Sequence, residues 1–401
     1  MIEIDAFLSF NIAVSLLLGG KLITRWSRTL QRYSIPEAVT GGVLCAAAVA
    51  VIYGLTGRQV HFTLGARDFL LLMFFASIGL NSDLRSLLAG GRPLAVLLGL
   101  ATVFMLMQNL LGVGLAELFG LPAAAGLMAG SISLTGGAGT TMAWAPVFTG
   151  LYGVSNAAEI GLAASTAGLI AACVIGGPMA TWLIRRHRLS GPAGEPLEVG
   201  APPAAREPLD YFAVLWALLV INLAVLGGMA LHGLIDSAGL TLPRFVTCLI
   251  AGIVIRNVTP AWARLRLAQL WPGMQQGMAL ISDIALGLFL VMALMGLQLW
   301  ELSGVLRFIL VAIALQVALT VAWTLFVVFR AMGADYEAAV TCAGFGGITL
   351  GSTATAIANI TAVAQQYGAA HQAFIIVPLV CGFFIDLVNA AVIAAFLAVL
   401  A

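Results

Sequence analysis

Long apolar runs alternate with short polar connectors along almost the whole chain. A membrane span needs about 20 mostly apolar residues. Runs of that kind fall at 6–23, 36–55, 67–88, 94–119 and 155–184, and again at 210–235, 242–258, 276–297, 304–330 and 373–399. A polar, Pro-rich stretch from Arg185 to Pro208 separates the two sets. The pattern predicts an all-α polytopic membrane protein with an N-terminal half (1–184), a linker (185–209) and a C-terminal half (210–401). Two stretches, 122–148 and 336–362, fit neither class. Each holds a Gly/Ser/Thr cluster, Gly130–Thr141 in the first and Gly344–Thr355 in the second. These are too broken for a spanning helix and too apolar for a surface loop.

Irregular backbone at membrane depth survives only where protein or a water-filled cavity satisfies its polar groups. Each stretch is long enough to enter the membrane and return, so both are expected to be re-entrant hairpins. Interrupted segments at corresponding places in two halves point to a transporter's binding site. The halves do correspond. Ile35-Pro36-Glu37-Ala38-Val39-Thr40 matches Leu242-Pro243-Arg244-Phe245-Val246-Thr247, and Ala76-Ser77-Ile78-Gly79-Leu80 matches Ala293-Leu294-Met295-Gly296-Leu297. Ala129-Gly130 matches Ala343-Gly344, and Tyr152-Gly153 matches Tyr367-Gly368, all in the same order. Five spans per half is an odd number, so the second copy must be inverted and the hairpins enter from opposite faces.

Charge sets the orientation. With both termini outside, the inside connectors collect Lys21, Arg25, Arg28, Arg32, Arg85, Arg92, Arg185, Arg186, Arg188, Arg206, Arg256, Arg264, Arg266 and Arg330. Of the 18 Lys and Arg, that leaves Arg58, Arg67, Arg244 and Arg307 outside. The bias follows the positive-inside rule and would weaken if either hairpin were a full span. Composition agrees, with 61% of residues hydrophobic and 9% charged, against about 25% charged in soluble domains. A net charge of +1 gives no reason to expect nucleic acid. The N-terminus lacks a basic region, so the first run reads as a retained span. The five cysteines lie unpaired in apolar segments and read as small buried hydrophobes. The four histidines do not cluster, which argues against a metal centre.

Glycine permits close backbone approach and positive φ, and successive backbone N–H groups in such turns make anion-binding concavities. Helices starting at Thr140 and Thr355 would add their positive dipole ends. Carbonyls near Leu134 and Thr349 would suit a sodium ion, and the Ser and Thr hydroxyls either partner. Tight helix packing by small residues is the competing reading. In the last span Asp386 and Asn389 share a face at i, i+3. An intramembrane carboxylate points to function: Asp386 could bind sodium, carry a proton or hold a substrate ammonium. Asn359 lies on the descending arm of the second hairpin. Glu159 sits at the interface or in a site. Gln108-Asn109 and Gln316, in the fourth span of each half, are expected to join helices. Asp283 pairs across the bundle or with sodium, and Arg67-Asp68 forms an interfacial ion pair.

These residues resemble the bacterial sodium/glutamate symporter family over nearly the whole chain. The likeness is carried by Ile35-Pro36-Glu37 with Gly41-Gly42, by Phe74–Asn81, by Ala129–Leu134 and by Met292–Leu297. Its most specific parts are Thr355-Ala356-Ile357-Ala358-Asn359 and Phe383-Phe384-Ile385-Asp386-Leu387-Val388-Asn389-Ala390. The resemblance implies two inverted five-span repeats with re-entrant hairpins, sodium-driven glutamate uptake, a cytoplasmic linker, and a homodimer working by an elevator motion in the bacterial inner membrane. The tips depart from the family pattern. Ala138 stands where the family's first tip has His, and Ala354 where its second tip has Pro.

The resulting expectation is a secondary active transporter that takes up glutamate, or a close anionic amino acid, with sodium as the coupled ion. Expected substrate contacts are Ser133, Thr135, Gly136, Gly137, Gly139, Thr140, Gly351, Ser352, Thr353, Thr355, Asn359 and Asn389. Expected sodium ligands are Leu134, Thr135, Thr349, Asn359, Asp386 and Asn389. A carrier of another small anion such as a dicarboxylate is the nearest alternative, and an ion channel the next. No zinc, Ser/Lys or paired-Asp motif favours an intramembrane enzyme.

Overall fold

The structure is a computed structural model, and it describes residues 2–32, 35–81, 84–191, 210–237, 243–258, 271–297 and 304–400. It is an all-α membrane protein. The helices are α1 (Ala6–Trp26), α2 (Arg28–Arg32), α3 (Glu37–Thr56), α4 (Arg67–Asn81), α5 (Leu84–Leu118), α6 (Ala123–Met128), α7 (Ser131–Leu134), α8 (Gly137–Leu151) and α9 (Ala157–His187). They continue with α10 (Tyr211–Ser237), α11 (Arg244–Val258), α12 (Trp271–Met295), α13 (Leu306–Ala331), α14 (Tyr336–Leu350), α15 (Thr353–Tyr367), α16 (His371–Leu379) and α17 (Ile385–Leu400). Two of them contain π-turns: Thr324–Val328 lies inside α13, and Val380–Phe384 joins α16 to α17. Among the described residues, seven helices are long and apolar enough to cross a membrane, or eight if the bent α16–α17 pair is one span.

Each predicted span overlaps a helix, or for 373–399 the bent α16–α17 pair, but boundaries move and α4 and α11 have only 15 residues each. The segment expected at 67–88 ends as α4 at Asn81, and the chain from Leu84 continues into α5 across a kink at Gly91. Gly91 has φ 59 and ψ −154, outside the helical region, which explains the break. Helix α9 runs on through Arg185 and Arg186 to His187, so the linker begins later than position 185. The rest of that linker, from 192 to 209, lies outside the described residues. Hydropathy also gave no sign of a short parallel pairing of β1 (Ile2–Ile4) with β2 (Val60–Phe62).

The chain forms two compact units, and each draws on both halves of the sequence. Unit 1 comprises Met1–Leu22, Glu37–Arg85 and Gly200–Gly296; unit 2 comprises Ile23–Pro36, Ser86–Val199 and Leu297–Ala401. Unit 1 packs α4 against α10, α11 and α12 around Met73, Ala76, Leu80, Ile221, Cys248 and Met278. Its ion pairs Lys21–Glu37 and Arg67–Asp68 are largely exposed, and pairs of that kind contribute little stability. Unit 2 holds the larger core, built on α5, α9, α13, α14, α15 and the last span, with Phe104, Phe345 and Leu97 completely buried. Both Gly/Ser/Thr clusters fall inside unit 2.

Candidate functional site

Each cluster breaks a helix. In the second, α14 and α15 are uninterrupted helices of 15 residues each, separated only by Gly351 and Ser352. They run antiparallel as a hairpin. A Cβ added at Gly347 would collide with the backbone of Ala356, so glycine is what lets the arms approach near the tip. At the base, the Tyr336 hydroxyl donates to Gly368 O at 2.6 Å. Asp335 caps α14 by accepting from the Ala338 N–H at 2.8 Å, and Ser352 caps α15 by accepting from the Thr355 N–H at 3.3 Å. The Glu337 carboxylate accepts from the N–H groups of Gln372 and Ala373, which ties the base to the start of α16.

The first cluster is broken twice, between α6 and α7 at Ala129-Gly130 and between α7 and α8 at Thr135-Gly136. Short helices leave backbone groups without internal partners; here the Ser131 N–H finds its acceptor on a neighbouring span, and Ser131 O, which accepts from the Gly136 N–H, gains a further donor. Asn109 of α5 accepts from the Ser131 N–H at 2.9 Å, and Asn389 of α17 donates to Ser131 O at 3.0 Å. Both asparagines are fully buried. Beyond the second break, Gly137 has φ 73, a left-handed conformation that favours glycine. Helix α8 begins there rather than at the expected Thr140, and α15 begins at Thr353 rather than at Thr355.

The two tips meet. A Cβ at Gly137 would lie 3.8 Å from Gly351 O. The last apolar residues before each break, Leu134 and Leu350, pack together with Ala172 of α9. Gln108 of α5 joins the tips through hydrogen bonds. Its Nε2 donates to Thr349 O at 2.9 Å, and its Oε1 accepts from the Thr135 hydroxyl at 2.7 Å. Gln316 of α13, the fourth-span glutamine of the other half, donates to Gln108 O at 2.9 Å. These glutamines join helices, as their position in the sequence suggested. The sequence did not reveal that the helices they join are the tips. Their matched place in the two halves was the available signal.

The remaining predicted residues sort by what they touch. Gly136, Gly137, Gly139, Ser352 and Thr353 are half-buried around the meeting point, and Thr140 and Gly351 are buried beside them. Thr355 is buried with its hydroxyl 3.2 Å from that of Ser352. Ser133 turns its hydroxyl back to Met128 O at 2.6 Å. Thr349 O already accepts from Gln108 and lies 3.4 Å from the Thr135 hydroxyl. Asn359 donates to Ala172 O and Ala343 O and so ties the descending arm to α9 and α14, away from the tip. The last span touches both hairpins. Cys381 O accepts from the Thr353 hydroxyl at 3.3 Å, and Asn389 holds Ser131. Asp386 is half-buried between those two contacts along the chain. Two oxygens at the Ser131 junction, Asn389 Oδ1 and Ser131 Oγ, are buried without a hydrogen-bond partner. Glu159 is buried, while Asp283 is exposed on α12.

Comparison with known proteins places this arrangement. A family model described as sodium/glutamate symporter matches residues 2–369. A sodium/glutamate symporter of Escherichia coli (strain K12) is 38% identical over 403 residues, covering 99% of this chain and 98% of that protein. One from Haemophilus influenzae is 36% identical over 385 residues, covering 95% of this chain and 94% of that protein. With the match running from end to end and across both hairpins, the chain belongs to the sodium/glutamate symporter family.

Proposed function

We propose that this protein is a sodium-coupled glutamate symporter of the bacterial inner membrane. The observation that carries the reading is the end-to-end relation to proteins named for that activity, over 99% of the chain. Coupled symport, with no catalysed reaction, is its activity, and sodium is cargo as well as driver.

The site we assign lies where the tips meet. Glutamate carries two carboxylates, and unit 2 brings backbone N–H groups of α8 and α15 towards that point. Helix N-termini favour negative charge through their unsatisfied donors and dipole. The hydroxyls of Ser352, Thr353 and Thr140 supply further polar contacts, and Gly137, whose added Cβ would meet nothing nearer than 3.8 Å, leaves room for a ligand to approach the backbone. For sodium, the Ser131 junction offers Asn389 Oδ1 and Ser131 Oγ as hard oxygen ligands, with Asp386 one turn from Asn389. Sodium there places positive charge near the carboxylates and so couples the two bindings. Inward movement of each net positive charge draws about 2.3 kcal/mol per 100 mV from the membrane potential.

The two arms of the second hairpin, at about 22 Å each, are shorter than the roughly 30 Å hydrocarbon core, which supports re-entrant hairpins in two inverted repeats. Every assigned site residue belongs to unit 2. That supports an elevator in which unit 2 carries the site as a body, in a homodimer with both termini outside.

Proteoliposomes test the reading. An inward sodium gradient is expected to drive accumulation of labelled glutamate, and potassium in place of sodium to abolish it. Accumulation that ignores sodium, or a dicarboxylate that outcompetes glutamate, contradicts it. Asp386→Asn is expected to raise the sodium concentration for half-maximal uptake at least tenfold, with protein abundance unchanged. Impermeant labelling of a cysteine placed in the 192–206 linker from outside intact cells would overturn the orientation.

A further inference from the structure

We propose that unit 2 also binds the headgroup of an acidic phospholipid, in a groove at the membrane surface where α9 ends. The groove, about 770 Å³, lies between α9 and α15 and shares no residue with the tips. Helix α9 contributes Gly177, Trp182, Arg185 and Arg186, and α15 contributes Val363 and Gln366. With Pro178 and Thr181 the α9 residues make two rows at four-residue spacing, Gly177-Thr181-Arg185 and Pro178-Trp182-Arg186, so they form one face, rising about 12 Å from Gly177 to Arg185. The floor of that face is apolar and open: a Cβ on Gly177 would meet nothing within 4 Å. The rim is cationic. Arg185 and Arg186 are exposed, take no part in the two ion pairs found among the described residues, and face no acidic side chain in the groove lining.

That gradient, from apolar floor to paired guanidinium rim within 12 Å or so, matches an amphiphile rather than a free anion. A guanidinium fork binds phosphate oxygens in bidentate fashion. Basic pockets between membrane helices recognise acidic headgroups. Trp182, 51% exposed beside the arginines, sits where an indole anchors at the headgroup level. Gln366 offers an amide to the glycerol or ester oxygens. The inference needs only the membrane setting and does not rest on the transport reading.

The test uses the full-length protein in neutral detergent, titrated separately with phosphatidylglycerol, phosphatidylcholine and inorganic phosphate, with binding followed by the thermal unfolding midpoint. Phosphatidylglycerol is expected to raise the midpoint and phosphatidylcholine to leave it in place. Arg185→Gln with Arg186→Gln should weaken phosphatidylglycerol binding about thirtyfold, the equivalent of about 2 kcal/mol for two arginines. Gly177→Leu keeps both charges but fills the floor, and should also lose the lipid effect. If that variant does not fold, the arginine pair decides alone. Equal stabilisation by phosphatidylcholine, an undiminished lipid effect in the arginine variant, or full reproduction of the effect by inorganic phosphate would overturn the proposal.

Discussion

The two hairpins solve one problem in different ways. The second makes most of its own fastening: its arms pack on each other through Gly347 and Ala356, Tyr336 closes its base, and Asp335 and Ser352 cap its helices. The first is broken twice and borrows its hydrogen-bond partners from elsewhere, from Asn109 of α5 and Asn389 of α17. The second hairpin therefore rests on packing between its arms, while the first rests on polar side chains lent by spans. Gln108 touches both and makes the tips one assembly. The last span touches both hairpins on either side of Asp386, through Cys381 O and Asn389.

The comparison breaks most sharply at Gly347. Gly347→Leu forces a side chain into the backbone of Ala356 and is expected to abolish monodisperse protein on size exclusion. Gly137→Ala, by contrast, adds a methyl group in ordinary contact with Gly351 O at 3.8 Å and costs about 1–2 kcal/mol of left-handed strain. It is expected to leave the protein folded and cut glutamate uptake severely. A well-folded Gly347→Leu protein would remove the packing account of the second hairpin.

Gln108→Leu comes next. It strips the Gln108 amide from Thr349 O and the Thr135 hydroxyl, which keep only their mutual 3.4 Å contact, at about 1–3 kcal/mol. Amide hydrogen exchange should quicken in both hairpins. A double-mutant cycle with Thr135→Val should show about 0.5–3 kcal/mol of coupling. Additive effects would mean that Gln108 does not join the tips.

Asn109→Ala leaves the Ser131 N–H unpaired and is expected to lower stability by about 1–3 kcal/mol, while Asn389→Ala removes one donor from Ser131 O, which still accepts from the Gly136 N–H, and is expected to cost less. Exchange should quicken over 123–151 and stay unchanged over 336–367. Equal loosening of both would erase the distinction drawn above. The smallest effect is expected from Ser352→Ala, about 1 kcal/mol for the lost cap, seen as faster exchange confined to the first turn of α15.

Hydropathy located the apolar helices because burial in lipid is a local property of about 20 consecutive residues, and the glycine clusters located a helix break in each hairpin for the same local reason. The additional break in the first cluster, at Ala129-Gly130, was not legible, because the Ser131 N–H that follows it depends on Asn109 standing ready to accept it. The roles of Gln108 and Asn389 were hidden for a similar reason. Gln108 meets Thr349 across 241 positions of sequence, and such a contact is set by how helices rotate against one another, which periodicity does not encode. The division into units was equally hidden, since each unit combines segments from both halves. Asn359 reads as a site residue from its polarity in an apolar arm, and the sequence did not show that its Nδ2 donates to Ala172 O and Ala343 O.

The central claim is that both tips line one sodium-coupled glutamate site, and substrate protection of tip cysteines tests it most directly. Ala138→Cys and Ser352→Cys place a thiol on each tip. Labelling would be measured in transport-active protein, with the parent's native cysteines as background. Glutamate and sodium together are expected to slow labelling at both positions, and either alone to slow it far less. Protection at neither position would contradict the shared site and return the glycines of both clusters to helix packing.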